Sequence, residues 1–301
     1  MSKTHAAFVG AAVLSLATAG SAFSNCVPSA SQAVVPGDFK VGVLQSNQGA
    51  ARDLGVIRNI FGVTKTKLDE ALPGRVTVLS DTELSQPAVL AGLKVIVLPE
   101  SKGLSRAQRR ALLGWVRQGG GLVSVYFSGR DDEQGTPLIR RAEGWGGRTE
   151  WAELSPAYGA RFLNDVYMTE ATFAIEPSHP LTANATRFCG ATLPDYAWRR
   201  DTRPTALTGE LASAASRGFA PLARLKHVKI TWERPEKRAV PGAVFAWTNT
   251  YRLGRVVHFG FNIADAWQPW TFQTYYQGVD PTAPDTGAAL LRGAVQWASA
   301  T

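Results

Sequence analysis

Residues 93–127 read LKVIVLPESKGLSRAQRRALLGWVRQGGGLVSVYF, and the fold follows from this run. Val95–Leu98 is an apolar strand that ends at Pro99. Ser105–Gln118 is the clearest helix of the chain: Ser105 is placed to cap it, and Gln108, three residues on, completes a capping box. Leu112, Trp115 and Val116 share one helical face, and Arg106, Arg109, Arg110 and Arg117 lie largely off it, which assigns the arginines to the surface. Gly119-Gly120-Gly121 stops the helix, because glycine tolerates the left-handed backbone that a helix C-terminus needs. Leu122–Phe127 is a second strand, apolar throughout except for Ser124. Near-continuous apolar strands alternating with helices require a parallel sheet covered on both faces.

Upstream the same grammar repeats. Phe39–Leu44 is a short strand, Gln45–Gly49 a polar loop, Ala51–Leu72 approximately a helix, and Val76–Leu79 another strand. The expectation is an α/β fold with a flavodoxin-like, doubly wound, mostly parallel sheet. Downstream the pattern loosens. Ala171–Ile175 reads as a strand, Glu176–Pro180 as a turn, and Val228–Glu233 with Val244–Thr248 as a hairpin around the basic connection Arg234–Pro241. Arg255–Phe261 is a strand and Asp285–Ser299 a terminal helix with Leu290, Ala294 and Trp297 at helical spacing. No internal repeat or low-complexity linker divides the two halves. Residues 38–301 are therefore expected to form one domain with an elaborated second half.

The N-terminus reads as an address. Lys3 and His5 precede the apolar, small-residue stretch Ala6–Ala19, and Ala22-Phe23-Ser24 offers small residues where a signal peptidase reads. Residues 1–24 are expected to be a signal peptide and 25–37 a Ser/Ala/Pro linker, giving an exported chain, periplasmic or extracellular. Phe23 and Asn25 are not what a lipoprotein signal places before its cysteine, so Cys26 is not expected to carry a lipid. No other segment is apolar enough to span a bilayer. Cys26 and Cys189 either pair in an oxidising compartment or remain apart, Cys189 as a small buried residue.

Among 301 residues, 45% are hydrophobic, 19% charged and 10% aromatic, which excludes a disordered, collagenous or disulfide-dense chain. Lys and Arg number 32 against 24 Asp and Glu, a net charge of +8. The basic residues are scattered, with no run of five, so nucleic acid is not the expected partner; an anionic envelope or polysaccharide suits such a surface equally well. The four histidines (5, 179, 227 and 258) show no metal-ligand spacing, and neither a metal nor a cofactor is expected.

Leu93–Pro99, Leu104–Val116 and the loop Tyr126-Phe-Ser-Gly-Arg-Asp-Asp-Glu133, followed late in the chain by Tyr251-Arg-Leu-Gly-Arg-Val-Val-His-Phe-Gly-Phe-Asn262, resemble the class I glutamine amidotransferase-like superfamily. The likeness is narrower to the trimerisation domain of family-42 β-galactosidases and to ThuA-like proteins. It covers residues 38–135 and 250–300; residues 145–245 match no pattern. The resemblance implies a catalytic Cys at the turn after the Gly-rich stop and a His-x-Glu pair after the last strand. Here the turn is Val125–Gly129 without Cys, and Phe259–Asp265 contains neither His nor Glu, so glutamine hydrolysis is not expected.

Ser128 is the candidate for a substitute nucleophile, with His258 and Asp265 as candidate base and orienting partner; the competing reading makes Ser128–Gly129 a turn and packs His258 on a neighbouring strand. Asp131, Asp132 and Glu133 cannot all face one ion, so a solvated loop is favoured over a metal site. The aromatic run Trp267–Tyr276 follows the last strand and by topology shares the edge with Ser128–Glu133. Aromatic faces beside amides and carboxylates suit a sugar, and they equally suit a core patch or a homo-oligomer contact. The candidate ligand contacts are Tyr126, Ser128, Asp131, Asp132, Asn262, Trp267 and Trp270. The expected function is an exported binding or assembly module for a carbohydrate or envelope ligand. The alternative is an exported hydrolase of a carbohydrate-type substrate working through the Ser128–Asp132 loop.

Overall fold

The computed structural model describes residues 34–47, 56–99, 101, 103–125, 128–129, 151–189, 196–199, 207–230, 242–261, 263 and 283–300. The first half runs β1 (Val41–Gln45), α1 (Val56–Ala71), β2 (Val76–Ser80), α2 (Pro87–Leu90), β3 (Val95–Pro99), α3 (Arg106–Arg117) and β4 (Gly121–Val125). The second half continues with α4 (Ser155–Tyr158), β5 (Ala160–Ile175), α5 (Pro180–Cys189), β6 (Tyr196–Arg199), β7 (Leu207–Ala214), β8 (Ala220–Ile230), β9 (Val244–Tyr251), β10 (Gly254–Phe259) and α6 (Ala283–Ser299).

The ten described strands form one mixed sheet. Its parallel part has the order β2-β1-β3-β4-β10, with Val41 beside both Val76 and Val95, and Ser124 beside both Leu98 and His258. Numbered by their own succession these strands run 2-1-3-4-5, the flavodoxin-like order, so the α/β expectation holds. The rest is antiparallel. β9 and β10 form a hairpin through Arg252-Leu253, where Arg252 takes φ 56°, and the long β5 pairs with β6, β7 and β8.

Burial on both faces explains the strand compositions. Val41, Val43, Val95, Val97, Val123, Val125, Val257 and Phe259 point to one side, where α1 supplies Ile60 and Leu68 and α6 supplies Leu290 and Leu291. Leu44, Ile96, Leu98, Leu122 and Val256 point to the other, against Leu112, Trp115 and Val116 of α3. The alternation is the period of two expected of a strand, but both phases are apolar because neither face meets water.

The α3 capping box is present: Gln108 N donates to Ser105 Oγ at 3.2 Å and Ser105 N to Gln108 Oε1 at 2.6 Å. Gly119 takes φ +110° as the chain leaves the helix. One arginine departs from the expected surface set. Arg109 is 1% exposed; its Nε donates to Glu153 Oε2 at 2.8 Å and its guanidinium to the Leu104 carbonyl. The helical wheel placed it off the apolar stripe correctly, but that side of α3 is covered by a segment more than forty residues downstream.

The second half differs from its sequence reading in extent. The strand expected over Ala171–Ile175 is the end of the sixteen-residue β5. The partner of β9 is the start of β8, with Ala220 opposite Thr248 and Arg224 opposite Val244, whereas Val228 lies opposite Ala171 of β5. A strand long enough to serve two neighbours in succession cannot be inferred from local alternation. At the N-terminal side, Val35 is fully buried, donates its N–H to Ala71 O at 2.7 Å, and receives Arg75 Nη2 on its carbonyl at 2.5 Å.

The hairpin that returns the chain to the parallel sheet is tightly seated. A Cβ on Gly254 would lie 2.0 Å from the Val116 carbonyl and 2.6 Å from that of Gly120. Since both obstacles are backbone, Gly254→Ala is expected to lower stability by about 1–3 kcal/mol, read as a reduced denaturant midpoint at unchanged m-value.

Candidate functional site

In an open α/β sheet, ligands sit at the carboxyl ends of the strands, where the strand order reverses. In this chain that edge is made by the exits of β1, β2, β3, β4 and β10. The β3 and β4 exits are stitched together. Ser101 N donates to Ser128 Oγ at 2.8 Å, and Gly129 N donates to Ser101 O at 3.1 Å. The Ser128 hydroxyl in turn donates to the carbonyl of Val125, at 2.6 Å, or of Leu98, at 2.8 Å. Ser128 is fully buried. Gly129 takes φ +79°, and a Cβ there would lie 2.8 Å from the Tyr158 hydroxyl, so the turn needs glycine on two counts.

Behind that turn lies an aromatic enclosure. Tyr158 donates its hydroxyl to Ser128 O at 3.0 Å, while Trp247 Nε1 donates to Tyr158 O at 3.1 Å. Trp151 stacks on Tyr158 with centroids 5.0 Å apart and meets Trp247 edge-on at 5.6 Å. His258 lies among these rings, 4.4 Å from Trp247, 5.1 Å from Tyr158 and 5.6 Å from Trp151. Its Nδ1 shares a hydrogen bond of 2.7 Å with Ser124 Oγ, its register neighbour on β4. The single polar residue of the β4 run is thereby explained: Ser124 faces the imidazole across the sheet.

The segment carrying Trp151 and Tyr158 is fastened from two sides. Glu153 accepts Arg109 Nε at 2.8 Å and Arg106 Nε at 2.9 Å. Burial pushes the Glu153 carboxyl up, but the hydrogen bond and charge of Arg109 and the hydrogen bond from Arg106 outweigh it and hold the group below its ordinary range. Opposite, Asn249 Nδ2 donates to Ala157 O at 2.8 Å, and Ser216 Oγ donates to Asn249 Oδ1 at 2.6 Å.

At the β1 and β2 exits, Asp81 accepts Ser46 Oγ at 2.8 Å and Asn47 N at 2.7 Å, and its carbonyl accepts Gln108 Nε2 at 2.8 Å. Ser101, 1% exposed, carries a hydroxyl that finds no hydrogen-bond partner among the described residues. A buried hydroxyl in that condition is unusual and suits a ligand or solvent contact.

Of the catalytic candidates, Ser128 and His258 are described, and the hydrogen bonds above tie them to different partners: Ser128 Oγ to backbone, His258 Nδ1 to Ser124. Asp265 lies outside the described residues, as do Tyr126, Asp131, Asp132, Asn262, Trp267 and Trp270. Ser101, Asp81, Trp151 and Tyr158 escaped the sequence reading. Asp81 could have been flagged as a carboxylate just after a strand. Trp151 and Tyr158 lie in the stretch that matched no pattern. No group of three or more His, Cys, Asp or Glu able to hold a metal occurs among the described residues. Among them too, no helix is long and apolar enough to cross a membrane.

No family model matches the chain, and no curated protein matches it. Solved structures do. A ThuA-like protein from Bacteroides uniformis is similar with a TM-score of 0.52 at 14% identity, over 86% of this chain and 91% of that one. A β-galactosidase from Bacillus circulans sp. alkalophilus is similar with a TM-score of 0.52 at 15% identity, over 74% of this chain. The cold-adapted β-galactosidase of Rahnella sp. R3 gives 0.54 at 14% identity, over 84% of this chain. This chain spans 28% and 31% of those two enzymes. At such identities the likeness is one of fold, and the ThuA-like, flavodoxin-type architecture is shared.

The enclosure makes a stability prediction. Tyr158→Phe leaves the buried Ser128 carbonyl without its phenolic donor, and a cost of about 1–3 kcal/mol is expected in chemical denaturation. An unchanged midpoint would mean that the hydroxyl does not support the turn.

Proposed function

We propose that this chain is an exported binding or assembly module, rather than a glutamine amidotransferase, and that it takes a carbohydrate or envelope ligand at the carboxyl edge of the parallel sheet. The observation that carries the reading is the state of Ser128. Its hydroxyl accepts the Ser101 N–H and directs its proton at a backbone carbonyl, of Val125 or Leu98, rather than at an imidazole. A nucleophile needs its proton directed at a base and its oxygen directed at a substrate. The pairing of His258 Nδ1 with Ser124 supports the same reading.

The ligand class is supported from two directions. The fold occurs as a segment of proteins named β-galactosidases, which makes carbohydrate the first class to test. The edge offers the chemistry of hydroxyl recognition in the Asp81 carboxylate with Ser46 and Asn47 and in the buried Ser101 hydroxyl, and the sequence adds Asp131, Asp132, Trp267 and Trp270 as candidates that lie outside the described residues. Sugars present an apolar face for an aromatic ring and hydroxyls for amides and carboxylates.

Two measurements test the proposal. A fluorophosphonate serine-hydrolase probe is expected to leave Ser128 unlabelled. On a glycan array and in calorimetry with neutral galactosides, Trp267→Ala or Trp270→Ala is expected to weaken binding about two- to tenfold, a stacking contribution of about 0.5–1.4 kcal/mol. Labelling that disappears in Ser128→Ala would establish the hydrolase alternative instead.

A further inference from the structure

The turn between β5 and α5 carries an arrangement that the binding edge does not use. Glu176 N donates to Leu222 O at 2.8 Å, fastening the turn to β8, and the Glu176 carboxylate accepts Ser178 Oγ at 2.6 Å. His179 follows immediately before Pro180, the first residue of α5. Its Nδ1 accepts the backbone N–H of Leu181 at 3.1 Å. The imidazole thus caps the helix, satisfying one of the amides that lacks an intrahelical partner.

That bond fixes the tautomer. A ring nitrogen that accepts a backbone N–H carries no proton, so in the neutral ring the hydrogen is on Nε2. Nε2 lies 2.9 Å from Thr248 Oγ1 of β9, and it donates there. Thr248, 1% exposed, passes its own hydrogen toward Ala220 O of β8 at 3.5 Å. The ring also packs on Trp297 of α6, with centroids 5.5 Å apart. One neutral imidazole therefore joins α5, β8, β9 and α6.

Protonation breaks this arrangement at a defined atom. A hydrogen on Nδ1 would face the Leu181 N–H, donor against donor, and the cap would be lost. The charged groups around the ring do not reverse the effect. Glu176 on the same turn favours the cation, but its carboxylate is engaged by Ser178 and also lies in the field of Arg224 from β8. On the α6 side, the imidazole meets the Trp297 ring, and the guanidinium of Arg255 of β10 lies 5.1 Å from that same indole. Thr248 of β9 is neutral.

We propose that His179 is an acid-sensitive latch: neutral, it holds the first turn of α5 against β9 and α6, and protonated, it releases that turn while the parallel sheet stays folded. Burial lowers the affinity of the ring for a proton and Glu176 opposes this, so its folded-state pKa lies below the ordinary value of 6.5. A histidine lowered on folding stabilises the fold above that ordinary value, and the contribution is lost as pH falls below it. The latch is closed at neutral pH and opens on acidification. Packing also ties the cap to α6: α5 and α6 meet closely at Gly293, where a Cβ would lie 2.8 Å from Leu181 O, so loss of the cap acts directly on that contact.

Hydrogen exchange on the full chain tests this, with rates corrected for intrinsic exchange between pH 7.5 and 5.5. The Leu181 amide is expected to lose about tenfold in protection over that range, while the Val97 and Val123 amides in the sheet keep theirs. In His179→Gln, which retains an acceptor but cannot titrate, protection at Leu181 is expected to be independent of pH. Nitrogen-15 shifts of the wild-type imidazole give a second reading that needs no variant: the Nε2–H tautomer at neutral pH, titrating with the same midpoint as Leu181 opening. An Nδ1–H tautomer, equal pH dependence in His179→Gln, or loss of protection at Val97 and Val123 in parallel with Leu181 would overturn the proposal.

Discussion

A parallel strand buried on both faces leaves its side chains no contact with water on either side. β3 and β4 are in that position, every residue of both being buried, and most of the architecture follows from covering them. Two apolar layers are needed, so α1 and α6 lie on one face and α3 on the other. A parallel sheet also cannot be closed by tight turns, because each strand must return to the same end before the next begins. All five parallel strands consequently deliver their carboxyl ends to one edge. The polar groups there, from Ser46 and Asp81 to Ser101 and Ser128, are neighbours for that topological reason.

The second half serves the same requirement by another route. β10 has to lie parallel to β4, and the chain reaches it through the hairpin with β9, whose other neighbours are antiparallel. This hairpin brings Trp247 and His258 side by side on the face that α3 leaves open. Trp151, Tyr158 and Phe162 fill that face. The ion pairs of Glu153 with Arg106 and Arg109 join the filling segment to α3. With Arg109 buried and Glu153 part-buried, the Arg109 bond is worth more than a fully exposed pair of the same geometry, and removing Glu153 would leave the buried guanidinium without its carboxylate. The turn at Ser128 is thus supported from in front by Ser101 and from behind by Tyr158.

These supports bear on chemistry. A hydroxyl at the end of a central strand is where a nucleophile would be placed in an α/β enzyme, and position alone makes Ser128 a candidate. Its hydrogen bonds hold the exits of two strands in register. Ser101, its neighbour, differs: its backbone is committed, and its side-chain hydroxyl has no partner among the described residues.

By itself the sequence determined the α/β class, the capped helix α3 and the first strands, because capping, glycine stops and apolar periodicity are local and act within a few residues. It also located the edge at which Ser128 and the last strand end, since parallel topology dictates it. Only the tertiary structure decided what the polar residues do. Arg109 reads as a surface arginine until Glu153 covers it, and Ser124 reads as a flaw in an apolar strand until His258 lies beside it. The sixteen-residue β5, the register that sets the start of β8 rather than its end beside β9, and the assignment of His179 to Thr248 rest on contacts between residues far apart in the chain. No local pattern encodes such contacts, because the energy that selects them comes from burial and from completing hydrogen bonds after the elements have met.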